Sequence, residues 1–108
     1  MQKLTTPAVS SEAIVEAIRM LRNSRINELL KTDEALHRML GKLYGTTTLT
    51  DVKKEFIRRD LLALRNTSLD INHYGSLVRE VKEHGGTGLA SNVLFMQELE
   101  TIFSKYGF

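Results

Sequence analysis

Lys54, Arg58 and Arg65 stand at i, i+4 and i+11, a spacing that sets three cations on one face of a helix, with Lys53 and Arg59 close by. The rest of that helix is largely apolar, so the three form its polar strip. Guanidinium and ammonium groups in such a line can contact successive phosphates, or the carboxylates of an acidic protein. Arg22 and Arg25 extend this candidate contact set. The turn Gly45-Thr46-Thr47-Thr48, ahead of the strip, invites a helix-turn-helix reading. With Gly45 aligned on that motif's turn glycine, Asp51 falls where an apolar residue is expected, which counts against the motif.

For catalysis the chain offers little. His37, His73 and His84 are scattered, and no HExxH occurs. Glu80 and His84 are four residues apart on one helix face, but one carboxylate and one imidazole hold a metal weakly, and a solvated ion pair accounts for them better. The string His84-Gly85-Gly86-Thr87-Gly88 resembles the glycine-rich oxyanion loop of esterases, yet no GxSxG nucleophile elbow accompanies it. Nor does a Gly-Lys-Ser/Thr follow, as a P-loop requires. A turn between two helices is the expected role. Without cysteine, neither a disulfide nor a thiolate metal site can form. No enzyme activity, cofactor or metal is expected.

The elements that must position these residues are helical almost throughout, since apolar residues recur at i, i+3, i+4 and i+7 and no strand-like alternation is sustained. A first helix starts at Thr6-Pro7 or at Ser10 or Ser11. Ile14, Ile18 and Leu21 line its face. Continuing that face would bury Arg22 and Arg25, so a break is expected near Asn23-Ser24, followed by a short helix over 25–31. Thr32 caps the next helix, which carries Leu36, Met39, Leu40 and Leu43 and stops at Gly45. Thr48 and Asp51 have capping-box spacing before a helix running to about Arg65. Val52, Phe56, Ile57, Leu61, Leu62, Ala63 and Leu64 cover more than half of its circumference, which predicts the central, most buried helix. On that reading Phe56→Ala costs about 3–5 kcal/mol. Thr67 and Asp70 repeat the capping spacing before a helix bearing Ile71, Tyr74, Leu77, Val78 and Val81, with Gly75 inside it as a bend or a close backbone approach. Gly85 to Gly88 make a flexible turn. The last helix puts Phe95, Met96, Leu99, Ile102, Phe103 and Tyr106 on one face, as core or as a dimer face, and Gly107-Phe108 resembles a glycine C-cap with an apolar residue folding back.

A chain of 108 residues with 42% hydrophobic and 26% charged residues can bury a core without staples and is not of disordered composition. One helical domain over 1–108 is expected, with a short flexible N-terminus, 1–6. No apolar run approaches the roughly 18 residues of a membrane span, and the N-terminus lacks a signal-peptide core, so no membrane partner and a cytoplasmic location are the defaults. Net charge is +2, but it is unevenly spread: residues 1–65 hold 12 Lys/Arg against 8 Asp/Glu, and residues 66–108 hold 3 against 5. One basic and one acidic region follow from that difference.

Leu21-Arg22-Asn23 recurs as Leu64-Arg65-Asn66, each copy followed by a polar break, an amphipathic run and glycine. The offset of about 43 residues lies within the period of helical repeat arrays, although two copies are fewer than such arrays usually need. The segment from Ala17 to Lys31 resembles the entry of some armadillo-like small domains, and no functional residues follow from that likeness. The expected fold is all-α: a compact bundle of five or six helices with orthogonal or armadillo-like packing. The expected function is a small non-catalytic adaptor or regulatory module that binds another protein, with self-association as a homodimer open. DNA or RNA binding through Arg22, Arg25, Lys54, Arg58 and Arg65 is the second reading.

Overall fold

Five helices make up the regular structure of residues 10–45, 48–67 and 74–108, which the computed structural model describes: α1 (Ser11–Lys31), α2 (Asp33–Tyr44), α3 (Asp51–Asn66), α4 (Gly75–His84) and α5 (Thr87–Ser104). The molecule is an all-α bundle, and no helix is long and apolar enough to cross a membrane.

Local chemistry sets most helix ends. The Ser10 hydroxyl accepts from the Ala13 N–H at 3.1 Å and that of Thr32 from Ala35 at 3.1 Å. Each satisfies one N–H that the first helical turn leaves unpaired. Thr50, not Thr48, caps α3, accepting from the Lys53 N–H at 3.2 Å, so Asp51 is the first helical residue rather than the acid of a capping box. Gly45 closes α2 at φ +70°, a left-handed conformation that costs glycine nothing, and its N–H reaches the Gly41 carbonyl. At the far end Gly107 has φ +90°, and the Phe108 N–H returns to the Phe103 carbonyl at 3.2 Å. Phe108 thereby folds back onto the rings of Phe103 and Tyr44.

Several expectations fail. α1 does not break at Asn23-Ser24; one helix runs unbroken to Lys31 and buries Arg22 completely. Nor is Thr67 an N-cap: it ends α3, its hydroxyl donating to the Ala63 carbonyl at 2.7 Å. Asp70 and Ile71, with the Thr6-Pro7 start, lie outside the described residues. Gly75 begins α4 instead of interrupting it, with open space where a Cβ would stand. Gly88 belongs to the first turn of α5 rather than to the preceding turn.

The central helix is α5, not α3. Only Ile57 and Leu61 of α3 are buried, whereas Val52 is 65% and Phe56 44% exposed. Lys53, Lys54, Glu55, Arg58, Arg59 and Asp60 crowd the same segment and leave only a narrow i, i+4 stripe free to be buried. α5 has no Lys or Arg and buries Ala90, Ser91, Leu94, Phe95, Leu99, Ile102 and Phe103. It packs along α1 more extensively than any other pair of helices. The core is in two parts. Ile14, Val15 and Ile18 meet Val78, Ala90 and Leu94 in one cluster; Ile26 and Leu29 meet α2, α3 and the second half of α5 in the other. Both long helices cross from one cluster to the other.

Candidate interaction surfaces

Arg22 sits between the two clusters, and its neighbours explain how a fully buried guanidinium is tolerated. Nη1 donates to Glu98 Oε2 at 3.0 Å, Nη2 to the Leu64 carbonyl at 3.2 Å and Nε to Asn23 Oδ1 at 3.0 Å. Asn23 Nδ2 in turn donates to the Arg65 carbonyl at 3.3 Å. The two Leu-Arg-Asn copies therefore touch. Arg22 and Asn23 of the first supply donors to carbonyls at the C-terminus of α3, where the second copy lies and where the helix dipole favours a cation. The copies are not equivalent helix ends: Asn66 closes α3, while Asn23 lies inside α1.

The other candidate cations are also held within the fold. Arg25 donates to Asn92 Oδ1 at 2.8 Å, with its guanidinium 5.1 Å from the centre of the Phe95 ring. Lys54 bridges Asp33 at 2.8 Å and Asp51 at 3.2 Å. Arg58 donates to the Leu30 carbonyl at 2.8 Å and lies 3.6 Å from Asp33. Arg65 donates to Asn27 Oδ1 at 2.7 Å. Lys54, Arg58 and Arg65 do share a face of α3, and each reaches a partner on α1 or at the start of α2. The hydrogen bond from Lys54 holds the Asp33 carboxyl below its ordinary pKa, aided by the charges of Lys54 and Arg58, and raises that of Lys54 itself. Arg22 and Arg25 lie on the α5 side of α1, so the five cations do not form one surface.

The aromatic residues Phe95, Phe103 and Tyr106 divide between core and surface, and Tyr106 stands in the turn past the end of α5 rather than on it. Phe95 and Phe103 are buried. Tyr106 is half-buried, stacks on Phe56 at 6.0 Å and donates to Asp60 Oδ2 at 2.7 Å. His84 Nε2 lies 3.8 Å from Glu83, its sequence neighbour, rather than pairing with Glu80. Among the described residues no three His, Asp or Glu side chains gather in a group able to hold a metal ion.

An apolar opening lies where α4 turns into α5. A groove of about 450 Å³ runs between them, walled by Leu77, Leu89, Ala90 and Val93, with Glu80 and His84 along one side and the Gly85-Gly86 turn at its end. Leu89 is 71% exposed and Val93 is exposed beside it. Among the described residues no Lys or Arg lines the groove. Sequence reasoning passed over Leu89 and Val93. Their i, i+4 spacing, on a different side of the helix from Phe95 and Leu99, is the signal that marks a second apolar stripe on α5.

The fold and these surfaces define an all-α bundle with an open apolar groove. No protein-family profile, curated protein or solved structure matches the chain.

Proposed function

We propose that this chain is a non-catalytic protein-interaction module that receives an apolar helical segment of another protein in the α4–α5 groove. The observation that carries this reading is the exposure of Leu89 and Val93 on a groove free of Lys and Arg. Covering such a surface removes apolar area from water, at roughly 25 cal/mol per Å². Glu80 on its edge suits a Lys or Arg beside the partner's apolar face, which favours correct encounter more than raw affinity. Helix-in-groove docking of this kind is read as anchors one turn apart.

Nucleic-acid binding through Lys54, Arg58 and Arg65 is less well supported. Release of counterions from phosphate drives such binding, and these three cations already have partners within the fold.

The test is affinity capture from the native host with the wild-type chain and with Leu89→Glu, a change at an exposed position, and the variant's circular dichroism spectrum is expected to match that of the wild type. A protein retained by the wild type and lost with Leu89→Glu supports the reading; identical sets of retained proteins reject the groove. Sedimentation of both chains identifies the occupant. A dimer that Leu89→Glu converts to monomer makes it a second copy of this chain.

A further inference from the structure

We infer that a second groove, between α1 and α2, docks an acidic amphipathic segment of a partner protein. The groove encloses about 220 Å³ and has an apolar floor of Leu29, Ala35 and Met39. Three cations line it, Arg25, Arg38 and Lys42, against one carboxylate, Glu28. Glu28 lies 3.8 Å from Lys31, which draws it toward the end of α1. Cations therefore outnumber carboxylates along the groove lining.

The three cations differ in how they are held, and the differences suit a peptide. Arg25 is fixed by its Nη1 bond to Asn92 and by the Phe95 ring, leaving Nε and Nη2 for an incoming carboxylate. A guanidinium held this way loses little entropy on pairing. Arg38 pairs with Glu34 one turn back, at 3.3 Å with both side chains largely exposed, a contact worth little and easily exchanged. Lys42 makes no ion pair among the described residues. Arg38 and Lys42 are one turn apart with Met39 beside them, so they match carboxylates one turn apart on a helix whose apolar side chain rests on Met39, an adaptable thioether.

The apolar floor decides between an acidic protein segment and a nucleic-acid backbone. A phosphate chain leaves the half-buried Ala35 and Met39 in contact with water, whereas an amphipathic helix covers them and meets the cations together. This inference concerns a different face from the α4–α5 groove and stands whether or not that groove is a docking site.

The test uses the full chain and a fluorescein-labelled amphipathic helical peptide with leucines on one face and glutamates on the other. A glutamine-for-glutamate version and a single-stranded oligonucleotide serve as controls. The expected result is salt-weakened binding of the glutamate peptide, reduced about tenfold or more both by the glutamine exchange and by the double variant Arg38→Glu, Lys42→Glu. Leu89→Glu leaves it unchanged. Where the double variant loses its helical circular dichroism signal, Lys42→Glu alone must weaken binding in the same direction. No binding at low salt overturns the inference, as do equal binding of the glutamine peptide, insensitivity to the charge reversals and loss with Leu89→Glu. Tighter binding of the oligonucleotide at the same residues also overturns it, in favour of phosphate recognition.

Discussion

Arg22 shows how much one side chain can organise. It has no exposed surface, yet its charge meets the Glu98 carboxylate and two of its N–H groups meet oxygens of Leu64 and Asn23. A buried ion pair seldom adds net stability over a well-packed apolar substitute, but removing one partner strands the other charge. Arg22→Ala is therefore expected to cost about 3–5 kcal/mol in urea denaturation, because Glu98 and the end of α3 lose their donor together. The double variant Arg22→Met, Glu98→Leu should cost less than Arg22→Ala alone, since it strands no charge. If the double variant is the weaker of the two, the ion pair is itself stabilising and not merely intolerant of being broken. Arg25, one turn later on α1, is the contrasting case: only half-buried, it keeps donors available toward the α1–α2 groove.

Between elements, the tie that joins α3 to the final turn depends on pH. Asp60 of α3 accepts from Tyr106 at 2.7 Å and from Lys105 at 2.9 Å. Burial pushes the Asp60 carboxyl up, but the hydrogen bonds from Tyr106 and Lys105, with the Lys105 charge, outweigh it and leave the pKa lowered. A carboxylate whose folded pKa is depressed adds stability above its unfolded pKa of about 3.9, and that stability is lost as pH falls through the folded value. Asp60→Asn should accordingly be less stable than the wild type at neutral pH, and the gap should narrow below about pH 4. Urea midpoints at pH 7 and pH 3 check this; a gap of the same size at both rejects the ionic part of the tie. The helix ends were legible in the sequence because each depends on neighbours within about four residues. Thr32, Gly45 and Gly107 act where their types and positions place them, and Ser10 is one of the starts the sequence offered. Thr50 was missed because five polar cap residues stand together from Thr46 to Asp51, and composition does not choose among them.

Across the molecule, α1 and α5 link the two clusters, and the weight of the core lies on α5. Phe95→Ala should cost about 3–5 kcal/mol, the range for emptying a buried aromatic site. Phe56→Ala should cost only about 1 kcal/mol, mainly the stacking with Tyr106. Equal losses for the two in thermal or urea denaturation would return α3 to the centre. The sequence expectation for Phe56 went astray for a definite reason. The polar strip of Lys54, Arg58 and Arg65 reads along the chain as the outward side of α3, whereas it turns toward partners on α1 and α2 and leaves Val52 and Phe56 facing outward.

The sequence alone determined the all-α class, the cap at Thr32, the stop at Gly45 and the apolar face of the last helix. These follow from backbone hydrogen bonding and side-chain periodicity, which act over one or two turns. Tertiary structure decided the rest. α1 runs straight through Arg22 because Glu98, 76 residues away, and the Leu64 carbonyl, 42 residues away, meet its charge. No local pattern carries that information: a cation on an apolar face reads as a break until its distant partners are known. The two grooves arise in the same way. Leu89 and Val93 in one, and Arg38 and Lys42 in the other, do not stand out along the chain and acquire a shared surface only when their helices pack.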